Sequence, residues 1–443
     1  MSTNESPEIA LPPMQIISQH DHNVRTEDIG ANAVKVLRRL SSAGYEAYLV
    51  GGCVRDLLLN KHPKDFDIAT NATPEQIKAQ FRNCRIIGRR FRLAHVLFGR
   101  EVIEVATFRG PHEQTTKASD LSKQDGEGQL VRDNVFGSLQ QDAARRDFTI
   151  NAMYFNVNDG SIRDFANGLD SIDNRTISLI GDPETRYRED PVRMLRAVRF
   201  AAKLDMDIDD ASDEAIHKFA YLLENIAPAR LFEEVLKMLF SGQGFATYEL
   251  LLHYGLFDKL FPKTGPLLNP TSRERKFIDQ VIKNTDNRIN TGQRVTPAFL
   301  YAAMLWYPIE EHAQRLVCDS GLSEADAFNM AASDILQGQL QRIMIPKRFS
   351  VTMREIWHFQ HRLSRRFGRR AYQMLAHPKF RAAYDFLLLR GEIEGGELFE
   401  LAQWWTDFQE ANSDQRKQMV DDLRAQQNTR PTRRRKKTKP KAN

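Results

Sequence analysis

The chain has 443 residues, room for about three domains at roughly 150 residues each and for a substantial core. Hydrophobic residues make up 41% and charged residues 27%, ordinary globular values that exclude a collagen-like or wholly disordered chain. The formal net charge of +5 is unevenly held: eight of the 63 basic residues lie in the last fourteen positions, leaving 55 against 58 acidic residues in a nearly neutral body.

Met1 to Pro13 carries acids and prolines where a secretory signal would place a basic and then an apolar stretch. Residues 1–25 therefore read as a disordered leader, and the protein is expected in the cytosol. Apolar spacing at Val34, Val36, Leu37 and Leu40 predicts a helix; a strand at Ala47–Val50 then runs into Gly51-Gly52 and a second helix through Leu59. Further strands are predicted at Phe66–Ala69, Arg85–Ile87, Ala94–Phe98, Val102–Thr107, Met153–Val157 and Ile162–Phe165, with a helix near Pro74–Phe81. The polar stretch between Pro111 and Gly137 reads as a mobile loop. After Asp182-Pro183 helical periodicity takes over, from 190 to about 425. The longest apolar run there, Ala298 to Tyr307, is far short of the roughly 18 residues a membrane span needs. Cys53, Cys84 and Cys318 are too few and scattered for a disulfide framework. The last segment holds Arg430, Arg433, Arg434, Arg435, Lys436, Lys437, Lys439 and Lys441, a charge of +8 suited to an anionic polymer, a protein partner or a membrane surface.

Chemistry concentrates in the first half. On a strand, Asp65 and Asp67 would send both carboxylates to one face while Phe66 and Ile68 enter the core. Two acids at that spacing suit Mg²⁺, although a polar strand end facing solvent is the competing account. In Gly51-Gly52-Cys53-Val54-Arg55-Asp56 the glycines let backbone N–H groups approach phosphate and Arg55 adds a fork of donors; a simple strand-to-helix turn is the alternative. Glu104, grouped by alternation with Val102 and Ala106, either completes a carboxylate trio or faces solvent. In Arg145-Arg146-Asp147-Phe148-Thr149-Ile150-Asn151-Ala152, arginines can bind triphosphate, and Asp147 can hold an arginine or sit near the metal.

These three motifs, in this order, resemble those of the class II nucleotidyltransferases, the family of the tRNA CCA-adding enzymes and the bacterial poly(A) polymerases. The resemblance implies an α+β fold: a polymerase-β-like nucleotidyltransferase head with a mixed sheet at 26–182, then an all-α neck (183–245), body (246–345) and leg (346–425), and a disordered basic tail (426–443). It also implies Asp65 and Asp67 as catalytic aspartates binding two Mg²⁺ ions, with Asp147 counted with them; Glu104, from its strand position alone, is a further candidate ligand. Gly51, Gly52, Arg55 and Arg146 would hold the triphosphate of ATP.

The family's base-reading motif matches Glu189-Asp190-Pro191-Val192-Arg193, followed by Arg196 and Arg199. Asp190 only accepts and Arg193 only donates, which suits the amine and ring nitrogen of adenine or cytosine and leaves the choice between them open. An N-cap followed by an intrahelical ion pair is the bland account of the same residues. Arg85-Ile86-Ile87-Gly88-Arg89-Arg90-Phe91-Arg92-Leu93-Ala94-His95-Val96, the segment from His377 to Leu387 and the basic tail are similar to the poly(A) polymerase branch. That branch implies AMP transfer from ATP to RNA 3′ ends, in mRNA polyadenylation and RNA turnover. Arg365, Arg366, Arg369 and Arg370 are expected on RNA, while Phe349, Trp357, Phe359, Phe367 and Tyr372 are expected mainly in the core. A monomer is expected, with RNA-processing proteins as partners of the tail. The alternatives are a CCA-adding tRNA nucleotidyltransferase and a non-catalytic RNA-binding protein.

Overall fold

The computed structural model describes residues 9, 11–88, 92–110, 122–124, 130–133 and 135–429. Two compact units divide the chain, Met1–Leu222 and Leu223–Asn443.

The first unit is built from strands β1 (Gln15–Ile17), β2 (Ala47–Val50), β3 (Ile68–Thr70), β4 (Cys84–Ile87), β5 (Leu93–Phe98) and β6 (Glu101–Thr107), a separate ribbon of β7 (Ser122–Gln124) and β8 (Leu130–Asp133), then β9 (Met153–Phe155) and β10 (Ile162–Asp164). Apart from the ribbon these form one mixed sheet in the order β1-β10-β9-β2-β3-β6-β5-β4, in which β3 and β6 run parallel and all other neighbours antiparallel. A parallel pair needs a crossover. Here β4, β5 and an intervening helix supply it, and that helix has a capping box of Thr73 and Gln76 with Pro74 in its first turn.

The unit's helices are α1 (Ala31–Ser42), α2 (Gly52–Leu58), α3 (Pro74–Gln80), α4 (Leu139–Arg145), α5 (Gly168–Asp173), α6 (Pro183–Glu189), α7 (Val192–Leu204) and α8 (Asp210–Phe219). α1 turns Ala33, Val36, Leu37 and Leu40 inward; of the stripe expected from spacing, Val36, Leu37 and Leu40 are buried and Val34 is half-buried, its place in the core taken by Ala33. A last, two-residue pair joins β11 (Thr176–Ile177) to β12 (Asp207–Ile208) in parallel, a strand inside the stretch expected to be all helix.

The second unit is helical: α9 (Pro228–Leu239), α10 (Gly244–His253), α11 (Leu256–Leu260), α12 (Arg273–Asn290), α13 (Pro297–Ser320), α14 (Glu324–Arg342), α15 (Lys347–Leu363), α16 (Arg369–Leu375), α17 (Phe380–Glu394), α18 (Gly396–Glu410) and α19 (Ser413–Thr429). The apolar run of α13 is buried from Leu300 through Ile309, which makes it a core helix. Among the described residues no helix is long and apolar enough to cross a membrane.

Two expectations need correction. Residues 15–17 of the supposed leader form the edge strand β1, paired with β10, and Val24 beyond it is buried. The polar loop contains the β7–β8 ribbon, the rest of it lying largely outside the described residues. Thr149–Asn151 forms one turn of 3₁₀ helix just ahead of β9. Arg89, Arg90, Phe91 and the tail from 430 also lie outside the described residues.

Candidate active site

Sheet register assembles the acids. The Val50 N–H donates to the Asp67 carbonyl at 3.0 Å, so Asp67 continues the β2–β3 pairing one residue before β3 begins. Asp65 and Asp67 therefore occupy an extended approach to the strand, not the strand expected of them. Phe66 turns the other way, onto Gly30 at the start of α1: a Cβ there would lie 3.0 Å from its ring. Ile68 pairs with Val105, and one step earlier along this parallel register Glu104 falls beside Asp67.

The charges respond to this crowding. Desolvation by the surrounding chain, then the Glu104 carboxylate, push Asp67 above its ordinary value; Asp65 adds to the push and Arg146 opposes it. Glu104 itself is half exposed, with His95 Nε2 of the neighbouring strand 3.4 Å from its Oε1. Three oxygen-bearing acids whose repulsion Arg146 only partly offsets have the donor chemistry a hard divalent cation takes.

Beside them lies the glycine turn. Gly51 has φ +81° and ψ −136°, a conformation open in practice only to glycine, and it caps α2. A Cβ on Gly51 would lie 3.5 Å from Arg146 Nη1, and one on Gly52 3.4 Å from Arg55 Nη2. Two guanidiniums thus flank the turn, each anchored from behind. Arg146 donates through Nε to the Tyr154 hydroxyl (2.9 Å) and through Nη2 to Asp142 (3.0 Å). Arg55 is 3% exposed, donating to Asp56 through Nε (2.9 Å) and to Asn151 Oδ1 through Nη1 (2.7 Å), with Phe200 under its guanidinium at 5.1 Å. Arg55 is therefore more deeply engaged with the protein than a fork presented to phosphate would be.

Asn151 joins these groups to the next set. Besides accepting from Arg55, it donates through Nδ2 to Asp147 (3.4 Å), and its carbonyl accepts from Arg146 (3.4 Å). Asp147 also accepts from the Phe148 N–H (2.9 Å) and from Arg196 Nε (2.6 Å). Burial alone would raise its carboxyl, but Arg196 and these donors outweigh it and hold the group below its ordinary value. Of the two roles open to Asp147, the arginine partnership is the one observed.

The base-reading motif occupies the α6–α7 corner. Asp190 ends α6 and accepts from the Val192 N–H, the first of α7, at 3.2 Å. Arg193 donates through Nη1 to Glu189 (2.9 Å) and to the Arg186 carbonyl (2.7 Å), so its acidic partner is Glu189 and not Asp190. Arg193, Arg196 and Arg199 recur every third residue on the less buried face of α7; Arg196 and Arg199 stand over Phe200 at 5.6 and 4.6 Å. Arg186, which motif reading passed over, is 4% exposed and donates to Glu189 (2.7 Å) and to the carbonyls of Arg146 (2.6 Å) and Arg145 (3.2 Å). Its position three residues before Glu189, an intrahelical pairing distance, was the available signal.

In the second unit Trp357 and Phe359 are buried, Phe349 and Phe367 half-buried, and Tyr372 exposed. Arg365, Arg369 and Arg370 are exposed, whereas Arg366 is half-buried over Trp404 at 4.9 Å and so departs from the solvent-facing cluster expected of it.

Residues 47–178 match the family described as "Poly A polymerase head domain", 205–268 the "Probable RNA and SrmB- binding site of polymerase A", and 320–440 the "Polymerase A arginine-rich C-terminus". A poly(A) polymerase I from Salmonella typhimurium is 54% identical over 418 residues, 94% of this chain and 90% of that one. This chain belongs to the poly(A) polymerase I family. A CCA-adding enzyme from Lactobacillus helveticus is 39% identical over 48% of this chain and 50% of its own length. The fold is shared with a Thermotoga maritima CCA-adding enzyme solved with tRNA, at 18% identity and a TM-score of 0.58 over 94% of this chain and 99% of that one. The head, with its mixed sheet followed by helices, is thus the nucleotidyltransferase fold that the motifs imply.

Proposed function

We infer that the protein is a template-independent polynucleotide adenylyltransferase, which joins AMP from ATP to the 3′-hydroxyl of RNA and releases pyrophosphate. The observation that carries the site assignment is the register of β3 and β6, which brings Asp67 and Glu104 together beside the Gly51-Gly52 turn.

Asp65 and Asp67, with Glu104 beside them, would hold two Mg²⁺ ions, which when bound activate the attacking hydroxyl and neutralise the leaving pyrophosphate. The chain's own residues position the substrate. The Gly51-Gly52 backbone admits the triphosphate closely, and Arg146, fixed by Asp142 and Tyr154, presents its guanidinium to it. Arg55 braces the turn from inside, through Asp56 and Asn151. Asp190 accepts from the adenine amine and Arg193 donates to the ring nitrogen. Both of the Arg193 hydrogen bonds use Nη1, so the remainder of its fork serves the base. Asp147 acts through Arg196, which it holds against α7, and Arg199 supports the same face. The exposed Arg365, Arg369 and Arg370 bind RNA phosphates, and the basic tail adds further cations for RNA or for RNA-processing proteins.

The test is primer extension on an unstructured RNA with ATP, CTP, GTP and UTP supplied singly, repeated on Asp65→Ala. Long A tracts from ATP alone, lost in the variant, are expected. Short C addition from CTP with no long A tract from ATP would favour a CCA-adding activity, and RNA binding without incorporation would overturn the enzyme reading.

A further inference from the structure

One cavity, within the second unit, is lined by none of the residues assigned to catalysis. It has a volume of about 340 Å³, within the roughly 300–1,000 Å³ of small-molecule sites, and is lined by Arg366, Glu400, Trp404, Met419, Asp422 and Leu423. Glu400 and Trp404 stand one turn apart on α18; Met419, Asp422 and Leu423 form one face of α19. Arg366 enters from the loop between α15 and α16.

The chemistry of the lining selects an occupant. Nη1 of Arg366 is buried with no hydrogen-bond partner among the described residues, so it requires an acceptor. The carboxylates of Glu400, whose charge already acts on Arg366, and Asp422 are exposed; they repel phosphate and accept from a donor. A lysine or arginine side chain from a peptide offers donors only and leaves Nη1 unmet. A nucleobase with an amine next to a ring nitrogen meets both needs, and Met419 and Leu423 give it an apolar wall. Phe408 stacks on the indole of Trp404 (centroids 4.7 Å apart, planes at 14°) and Arg366 lies over it, so an incoming ring packs on the guanidinium plane instead. Arg365, Arg369 and Arg370 are exposed close by in sequence to meet the flanking phosphates.

We propose that this cavity binds an adenine of single-stranded RNA, giving the second unit a hold on A-rich RNA separate from the catalytic site. That the base arrives on an A tract rests on the adenylyltransferase reading. The test measures binding of 15-mers A15, C15 and U15 to the full chain by anisotropy, in EDTA and without ATP, so that it is independent of catalysis. A15 is expected to bind about tenfold more tightly than U15. In the Glu400→Gln/Asp422→Asn double variant, whose changes are at exposed positions, and in Arg366→Met, that ratio is expected to fall close to one. A15 and U15 binding equally to the wild type, or a ratio that survives in both variants, would overturn the proposal. Selective binding by a chain that fails to extend primers would instead sink the transferase reading and leave the cavity assigned.

Discussion

Arg186→Ala separates a supporting framework from a bystander. Its guanidinium is almost fully enclosed and makes three hydrogen bonds, to Glu189 and to the carbonyls of Arg145 and Arg146. Removing it should cost about 3–5 kcal/mol, because the Arg145 and Arg146 carbonyls are left desolvated at about 1–3 kcal/mol each and the packing of the side chain is lost, while the half-exposed Glu189 returns to water. The enclosure is itself unfavourable to the charge: burial, then the neighbouring Arg193, bring the Arg186 pKa down to about 10 against the pull of Glu189. Methionine, which fills the space without a charge, should therefore recover part of the loss, leaving about 1–3 kcal/mol. At about 2–4 °C per kcal/mol for a unit of this size, the alanine variant should unfold about 6–20 °C lower by calorimetry. Because Arg186 pins the carbonyl next to Arg146, the KM for ATP should rise about tenfold in the methionine variant, which corresponds to about 1.4 kcal/mol of binding. An alanine variant with unchanged Tm, or a methionine variant with unchanged KM, would refute the view that α6 fixes the triphosphate-binding arginine.

Other consequences concern the acids, the turn and the leg. Asp67→Asn should abolish extension yet leave the Tm of the metal-free protein equal or higher, since it relieves the repulsion from Glu104 and Asp65; millimolar Mg²⁺ should raise the Tm of the wild type only. Gly51→Ala should lower stability by about 1–3 kcal/mol and raise KM for ATP, because alanine strains at φ +81° and relief of that strain shifts the turn beside Arg146. Asp147, held below its ordinary value, contributes stability that is present above the unfolded carboxylate value of about 3.9 and disappears as pH falls through the depressed folded one. The stability gap between wild type and Asp147→Asn, read by denaturant titration, should accordingly be full at pH 6 and shrink below about pH 4. Replacing Arg365, Arg369 and Arg370 by Gln together should reduce the slope of log K against log salt for single-stranded RNA by about 2, at about 0.7 for each phosphate that is no longer neutralised.

What the sequence made legible was whatever depends on near neighbours along the chain. Ala47–Val50 forms β2 with the expected bounds, and the helix predicted over Pro74–Phe81 ends one residue early, because its capping box and proline are local signals. Alternation also set Glu104 on the face of Val102 and Ala106. Its meeting with Asp67, left open by the sequence, is decided by the parallel pairing of β3 with β6, and no period within either strand encodes that. The same limit explains β1: three residues with an exposed pattern are a strand only because β10 lies alongside. It explains Arg55 as well. Its place after two glycines suggested a phosphate fork, but Asn151, 96 residues further on, takes one arm and Phe200 covers the plane. Residues that carry one motif are thus held by residues of another: Asn151 ties the glycine turn to Asp147, and Asp147 ties both to α7 through Arg196. The glycine turn, the Arg145–Ala152 segment and the α7 arginines, recognised separately in the sequence, are one hydrogen-bonded assembly in the fold, so an alteration at Asn151 should disturb triphosphate binding although Asn151 itself is enclosed by protein.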